Sequence, residues 1–184
     1  MANRPALREL QGRLAERLQA ARSQQGTKPS WLAVECRGAR YLCPLEQAGE
    51  IFAAAPVHPV AYTAPWFLGI ANLRGGLHGI VDLAGFLARS APDRGTAGAA
   101  RHGEPGAVES SLVSLNPLFD VNAAMLVDRL AGLRGDEAFT HAEPPAADAP
   151  AWFGPRRTDA QGTVWQELDL RALAADPAFL DIVA

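Results

Sequence analysis

Lysine is almost missing from this chain: Lys28 is the only one, and arginine carries the rest of the positive charge. Basic residues number 17 against 20 acidic ones, a net charge of −3. No basic surplus remains for a phosphate backbone, which argues against a nucleic-acid partner. Cysteine is nearly as scarce. Cys36 and Cys43 lack Cys-x-x-Cys spacing, so the expectation is two buried, reduced thiols rather than a disulfide or metal framework. His58, His78, His102 and His141 are scattered and form neither a His-x-x-x-His nor a His-Glu-x-x-His pair. Gly75, Gly76 and Gly79 make too short a run for a phosphate loop, and no Lys-Ser/Thr follows them. No apolar run approaches the roughly 20 residues of a membrane span. Arg4, Arg8, Glu9, Arg13, Glu16 and Arg17 interrupt any secretory h-region at the amino terminus. The expectation is a cytoplasmic protein without direct membrane insertion, metal or cofactor.

What is present is an ordinary globular balance, 48% apolar and 20% charged over 184 residues. That suits one domain, or two small lobes sharing a core. Leu7, Leu10, Leu14, Leu18 and Ala21 recur at helical spacing, predicting an amphipathic helix and linker over residues 1–28. Its leucine face either docks on its own domain or takes a partner. From Trp31 the period becomes two. Leu32, Val34 and Cys36 face one way and Trp31, Ala33 and Glu35 the other. Residues 37–40 read as a turn, Tyr41 to Leu45 as a returning strand, and Leu45 to Phe52 as further extended chain. A short strand is expected near Val57 to Ala61. Trp66 to Leu73 and Leu77 to Asp82 form strands around an Arg74-Gly75-Gly76 turn. Asp82 is placed to cap a helix through Leu87. Further strands are expected at Ser111 to Leu115, Ala123 to Leu133 and Val164 to Leu168. Residues 88–109 and 142–151 read as flexible loops. Asp169 and Asp176-Pro177 mark two short C-terminal helices, with Phe179, Leu180 and Ile182 pinning the tail. The fold class is therefore mainly β.

The stretch GIANLRGGLHGIVDLAGFL, Gly69 to Leu87, resembles the signature of CheW-like domains. Gly69, Asn72, Leu73, Arg74, Gly75, Ile80, Val81, Asp82 and Leu83 fall on its pattern. RGARYLCPLEQAGEIF upstream, with its Glu50-Ile51, and AMLVDRLAGL downstream, Ala124 to Leu133, resemble flanking strands of the same family. Within the family, Phe179-Leu180-Asp181 and the N-terminal extension resemble the PilI-like adaptors of type IV pilus (twitching) systems; a flagellar chemotaxis CheW is the alternative. The resemblance covers roughly residues 31 to 140 plus a closing strand and helix. It implies two five-stranded SH3-like barrels sharing a core over residues 29–184, with no catalytic site. It also implies two partners: the regulatory domain of a CheA-type histidine kinase and the cytoplasmic tip of a methyl-accepting chemoreceptor. Gly79 stands where the family has proline, which predicts a looser strand, and Asn116-Pro117 interrupts an expected pairing strand.

The expected partner surface is centred on the Asn72–Gly75 turn. Arg74 offers a planar fork of donors to a partner carboxylate or carbonyl, or else braces its own barrel through backbone carbonyls or Asp82. Asn72 satisfies turn backbone groups or touches a partner. Trp66 is expected as an apolar anchor, with Phe67 beside it and one of the two in the core. Glu50 pairs with an arginine or ends a strand in solvent. Val127, Asp128 and Arg129 complete the surface. The competing class, a small catalytic or metal-binding β-barrel, requires side chains such as Cys43, His78 and Asp82 to converge in a concave pocket.

Overall fold

The computed structural model describes residues 30–90 and 110–184. β1 (Trp31–Cys36) and β2 (Ala39–Pro44) form a hairpin, and the chain then crosses to a second sheet. There it builds β3 (Ala48–Ala53), β4 (Phe67–Leu73), β5 (Gly76–Asp82), α1 (Leu83–Ser90), β6 (Ser111–Leu115) and β7 (Ala123–Val127). It returns at Asp128 to complete the first sheet with β8 (Arg129–Arg134), β9 (Phe139–Glu143), β10 (Phe153–Asp159) and β11 (Val164–Leu168). The helices α2 (Leu170–Ala174) and α3 (Pro177–Leu180) close the chain, each capped by the aspartate before it. The first sheet has six strands, ordered β8-β1-β2-β11-β10-β9, and the second has five, ordered β3-β6-β7-β5-β4. Pairing is antiparallel except for β2 with β11 and β5 with β7.

The sheets share one core. Leu32, Val34, Cys36, Tyr41 and Cys43 on the six-stranded side meet Val81, Val113, Leu115, Met125 and Val127 on the other. Leu83, Phe86 and Leu87 of α1 and Leu170, Leu173 and Phe179 of the C-terminal helices fill the same volume. Each sheet also curls around a cluster of its own: Ala71, Leu73, Ile80, Leu112, Ala124 and Leu126 in one, and Trp31, Ala33, Leu42 and Trp165 in the other. This is the architecture of two curled sheets with a common interior, with six and five strands in place of five and five.

Strand β1 is buried on both faces, because Trp31 and Ala33 fill the sheet's own interior while Leu32 and Val34 fill the shared one. The turn expected over residues 37–40 is only Arg37 and Gly38; Ala39 and Arg40 already pair in β2. Extended chain from Leu45 to Phe52 is interrupted at residues 45–47, where the path changes sheets. Val57 to Ala61 is reduced to one bridge, His58 with Ile70. The approach is so close that a Cβ on Gly69, at φ +131°, would sit 2.1 Å from the His58 carbonyl oxygen. The run Ala123 to Leu133 is two strands, split at Asp128. Residues 88–90 are helical, and β9 occupies the first two positions of the expected 142–151 loop. Phe179 is buried and Ile182 packs against the core, but Leu180 is 52% exposed and pins nothing.

Gly79 does not loosen β5. It is paired on both sides, and a Cβ there would meet the Phe67 ring at 2.9 Å, so the missing side chain is the room that Phe67 fills. Nor does Asn116-Pro117 interrupt β6, which pairs along its length before Asn116 caps the following turn at Leu118 N–H. The expected helix over residues 1–28 and the remainder of the 88–109 loop lie outside the described residues.

Candidate partner-binding site

Strands β4 and β5 are joined by two residues, Arg74 and Gly75, both at positive φ (50° and 87°). That combination matches the sheet's right-handed twist. Asn72 Oδ1 accepts the Gly75 N–H at 2.8 Å, so this asparagine serves the turn. Arg74 Nη1 donates to Glu50 Oε2 at 3.0 Å, and its guanidinium lies 5.7 Å from the Phe52 ring centre. Phe52 in turn contacts the His78 ring at 6.1 Å. Glu50 and Phe52 belong to β3, at the far end of the strand order, so these side chains span the gap between the sheet's two edges. The Arg74 and Glu50 side chains remain 73% and 59% exposed. Such a pair contributes roughly 0–1 kcal/mol to stability. What it provides is a polar group held in place and open to contact. Ile51 and Leu77, next to Glu50 in sequence and opposite Asn72 in register, are exposed apolar neighbours. Sequence reading passed over both. The signal was there: each is an aliphatic residue whose strand neighbours face the opposite side.

The other expected site residues fall elsewhere. Trp66 is 2% exposed, wedged against Phe86 (5.0 Å) and stacked with Phe179 (6.0 Å). Val127 is 1% exposed, because it ends β7 facing the shared core. Neither side chain presents a surface to a partner, which corrects the expectation for both. Asp128 and Arg129 are exposed, and they stand on the six-stranded side rather than beside the hairpin tip. Arg129 grips Glu35 through Nε (3.1 Å) and Nη2 (2.7 Å), while Arg40 Nε reaches the other oxygen at 3.2 Å. Hydrogen bonding from Arg129 holds the Glu35 carboxyl below its ordinary range, against a smaller opposing effect of burial. Asp128 Oδ2 accepts the Arg37 N–H at 2.5 Å. The structure thus brings Glu50, Asn72, Arg74 and Gly75 together, and gathers Asp128 and Arg129 around the residues 35–37.

The catalytic grouping considered from sequence does not form. Cys43 points into the shared core, where burial pushes its thiol up to about 12, and the Cys36 thiol is raised by the same cause. Asp82 is committed to Arg37 and to the Gly85 N–H. His78 lies on the five-stranded sheet against Phe52, its Nδ1 3.1 Å from the Gly76 carbonyl oxygen. Among the described residues, no three His, Cys, Asp or Glu side chains are grouped to hold a metal ion. Also among them, no helix is long and apolar enough to cross a membrane.

No curated protein matches the chain. Among solved structures, the scaffolding protein TtCheW from Thermoanaerobacter tengcongensis superposes with a TM-score of 0.55 at 14% identity, covering 77% of this chain and 89% of that one. At that identity the likeness establishes the fold. The family model described as CheW-like domain matches residues 30–178, a span that contains both sheets and the whole Gly69–Leu87 signature. The chain therefore belongs to the CheW-like domain family.

Proposed function

We propose that this protein is an adaptor without catalysis of its own, coupling a chemoreceptor to a CheA-type histidine kinase. The observation that carries the reading is the family match across both sheets. The exposed tip supports it. A rigid turn loses little conformational entropy on docking, and the exposed Arg74–Glu50 pair, with Ile51 of β3 and Leu77 of β5 also exposed, offers the mix of charge and apolar area that interfaces use. In this reading the kinase contributes its regulatory domain and the methyl-accepting receptor its cytoplasmic tip. The protein is then cytoplasmic and recruited to receptor arrays. Residues 1–28 form an appended segment that modulates partner choice.

Twitching motility through type IV pili is the pathway we favour. The support is the resemblance of Phe179-Leu180-Asp181 and the N-terminal extension to PilI-like adaptors. The test is a pull-down of the full chain with its cognate kinase regulatory domain and with a receptor-tip fragment. Wild-type protein is expected to capture both, and Arg74→Ala to weaken capture at least tenfold with an unchanged melting temperature. Failure of the wild type to bind either partner would end the adaptor reading. Undiminished capture by folded Arg74→Ala would remove Arg74 from the interface. Deleting the gene should abolish twitching; loss of swimming alone would assign it to flagellar chemotaxis.

A further inference from the structure

Arg37 occupies a position that its side chain does not suit. It is the first residue of the two-residue β1–β2 turn, at φ 48°, followed by Gly38 at φ 78°. Turns of this kind favour Asn, Asp or Gly, because a side chain on left-handed backbone crowds its own carbonyl. Strain kept at a turn calls for a return elsewhere. The Arg37 guanidinium leaves its own sheet and donates through Nη2 to Asp82 Oδ2 at 2.6 Å, where the Asp82 side chain is 4% exposed. Asp82 ends β5 in the other sheet, and its second oxygen caps α1 at the Gly85 N–H, 3.0 Å away. The same Arg37 donates its backbone N–H to Asp128, the residue at which the chain crosses back between the sheets. Asp128 N–H donates to the Glu35 carbonyl at 3.0 Å, and Glu35 holds Arg129. Residues 35–37 therefore bind the return crossing at several points and reach the opposite sheet at Asp82.

We propose that Arg37 is a positioning residue for the coupling surface. It fixes the setting of the five-stranded sheet, with its Arg74 tip, against the crossing at Asp128–Arg129, so that partners seated on the two sheets are held in one geometry. This inference rests on the adaptor reading above. A shared apolar core resists separation of the sheets, but apolar contact is non-directional and tolerates small rotations. A short charged hydrogen bond across the junction has a preferred direction and penalises them.

The experiment compares full-length wild type with Arg37→Gln and Arg37→Lys. Amide hydrogen exchange is read at residues 83–86 and 126–130, and capture of each partner is measured alone and together. In Arg37→Gln, exchange at both segments is expected to rise at least tenfold. Binary capture should stay within twofold, while joint capture of kinase domain and receptor tip falls at least fivefold. Arg37→Lys, which keeps a cation within reach of Asp82, should restore more than half of the loss. Unchanged exchange in a folded Arg37→Gln overturns the proposal, as does joint capture falling only in proportion to binary capture. If Arg37→Gln does not fold, Arg37→Lys decides: exchange raised less than tenfold together with joint capture reduced less than fivefold supports the latch, and a folded Lys variant beyond either bound overturns it. Wild-type protein that binds no kinase domain would defeat the adaptor reading, while the exchange data would still judge the latch.

Discussion

Each of the two sheets contains a hairpin closed by an Arg-Gly turn, and the two arginines do opposite things. Arg37-Gly38 and Arg74-Gly75 share backbone geometry, with φ of 48° and 78° in one and 50° and 87° in the other. Each arginine pairs with a carboxylate. Arg37 reaches across the junction to Asp82 at 2.6 Å, with side chains 26% and 4% exposed. Arg74 stays within its own sheet and meets Glu50 at 3.0 Å, with side chains 73% and 59% exposed. The backbone cost is the same, so the difference lies in solvent. Around Asp82 little water remains to replace the guanidinium, whereas around Glu50 water can replace it at small loss. One turn is thereby structural and the other is available for recognition.

Replacing each arginine by glycine makes the same backbone change twice and isolates the side chains. Arg37→Gly is expected to have the largest effect. Relief of left-handed strain returns about 1 kcal/mol and greater freedom of the unfolded chain takes back roughly 0.4–1 kcal/mol, while removing the guanidinium from buried Asp82 costs roughly 3 kcal/mol or more. A net loss of about 2–3 kcal/mol should appear as a lower urea midpoint with an unchanged slope. A midpoint equal to wild type would show that the buried pair is no more than a surface contact, and the contrast between the turns would fall.

Next in size is Gly85→Ala, which approaches Asp82 from the helix side. Helix propensity alone predicts a gain of about 1 kcal/mol. A Cβ at Gly85, however, would sit 2.3 Å from Asp82 Oδ2. The carboxylate must then leave either Arg37 or its capping position, and a net loss of about 1 kcal/mol is expected. Thermal unfolding by circular dichroism distinguishes the two signs. A stabilised variant would mean that Asp82 has room to move and that the junction is looser than drawn.

How much of this contrast could be read without coordinates follows from where the information lies. The Arg74 turn was legible because an Arg-Gly-Gly stretch between two apolar runs is a local pattern, although Gly76 already pairs in β5, and Asn72 announces its own turn contact. The helix start at Asp82 and the caps at Asp169 and Asp176 were legible for the same reason. The Arg37–Asp82 pair was not, since its partners are 45 residues apart and nothing local couples them. The exposed pairing of Glu50 with Arg74 was open as one of two alternatives, and only closure of the sheet resolves it. Trp66 and Val127 were misplaced because an aromatic or β-branched residue suits a core and an interface equally, and burial is a property of the assembled sheets. Strands β9 and β10 escaped notice because PRRT and FTHAE do not alternate apolar with polar. Arg157 instead lies over the Trp31 ring, 4.2 Å from its centre, while pairing with Glu167, which lets a charged residue sit on a strand that faces an aromatic interior.

A third carboxylate, Glu35, is testable by acid. The folded Glu35 carboxyl is held below its ordinary value of about 4.3 by Arg129 and Arg40. Its contribution is therefore fully present above the unfolded pKa and is lost as pH falls through the lower folded value. The stability difference between wild type and Glu35→Gln is expected to be roughly 0.2–1 kcal/mol at neutral pH, the range for partly exposed pairs. It should shrink toward zero as pH falls below about 4. A difference that held constant through that window, in urea titrations at each pH, would show that the Arg129 contact acts through packing rather than charge.

The smallest effect on stability, and the most informative for recognition, is expected from Arg74→Gly. Relief of strain at φ 50° returns about 1 kcal/mol, greater freedom of the unfolded chain takes back roughly 0.4–1 kcal/mol, and the lost exposed pair removes 0–1 kcal/mol. The sum runs from a gain of about 0.6 to a loss of about 1 kcal/mol, a small net change. Arg74→Ala keeps the strain and loses the pair, so it should be slightly the less stable of the two. Both variants remove the same guanidinium, and if the tip is a recognition element both should lose partner capture equally despite their different stabilities. Capture that tracked stability instead, with the glycine variant binding as wild type does, would mean that the partner reads the shape of the turn and not its charge.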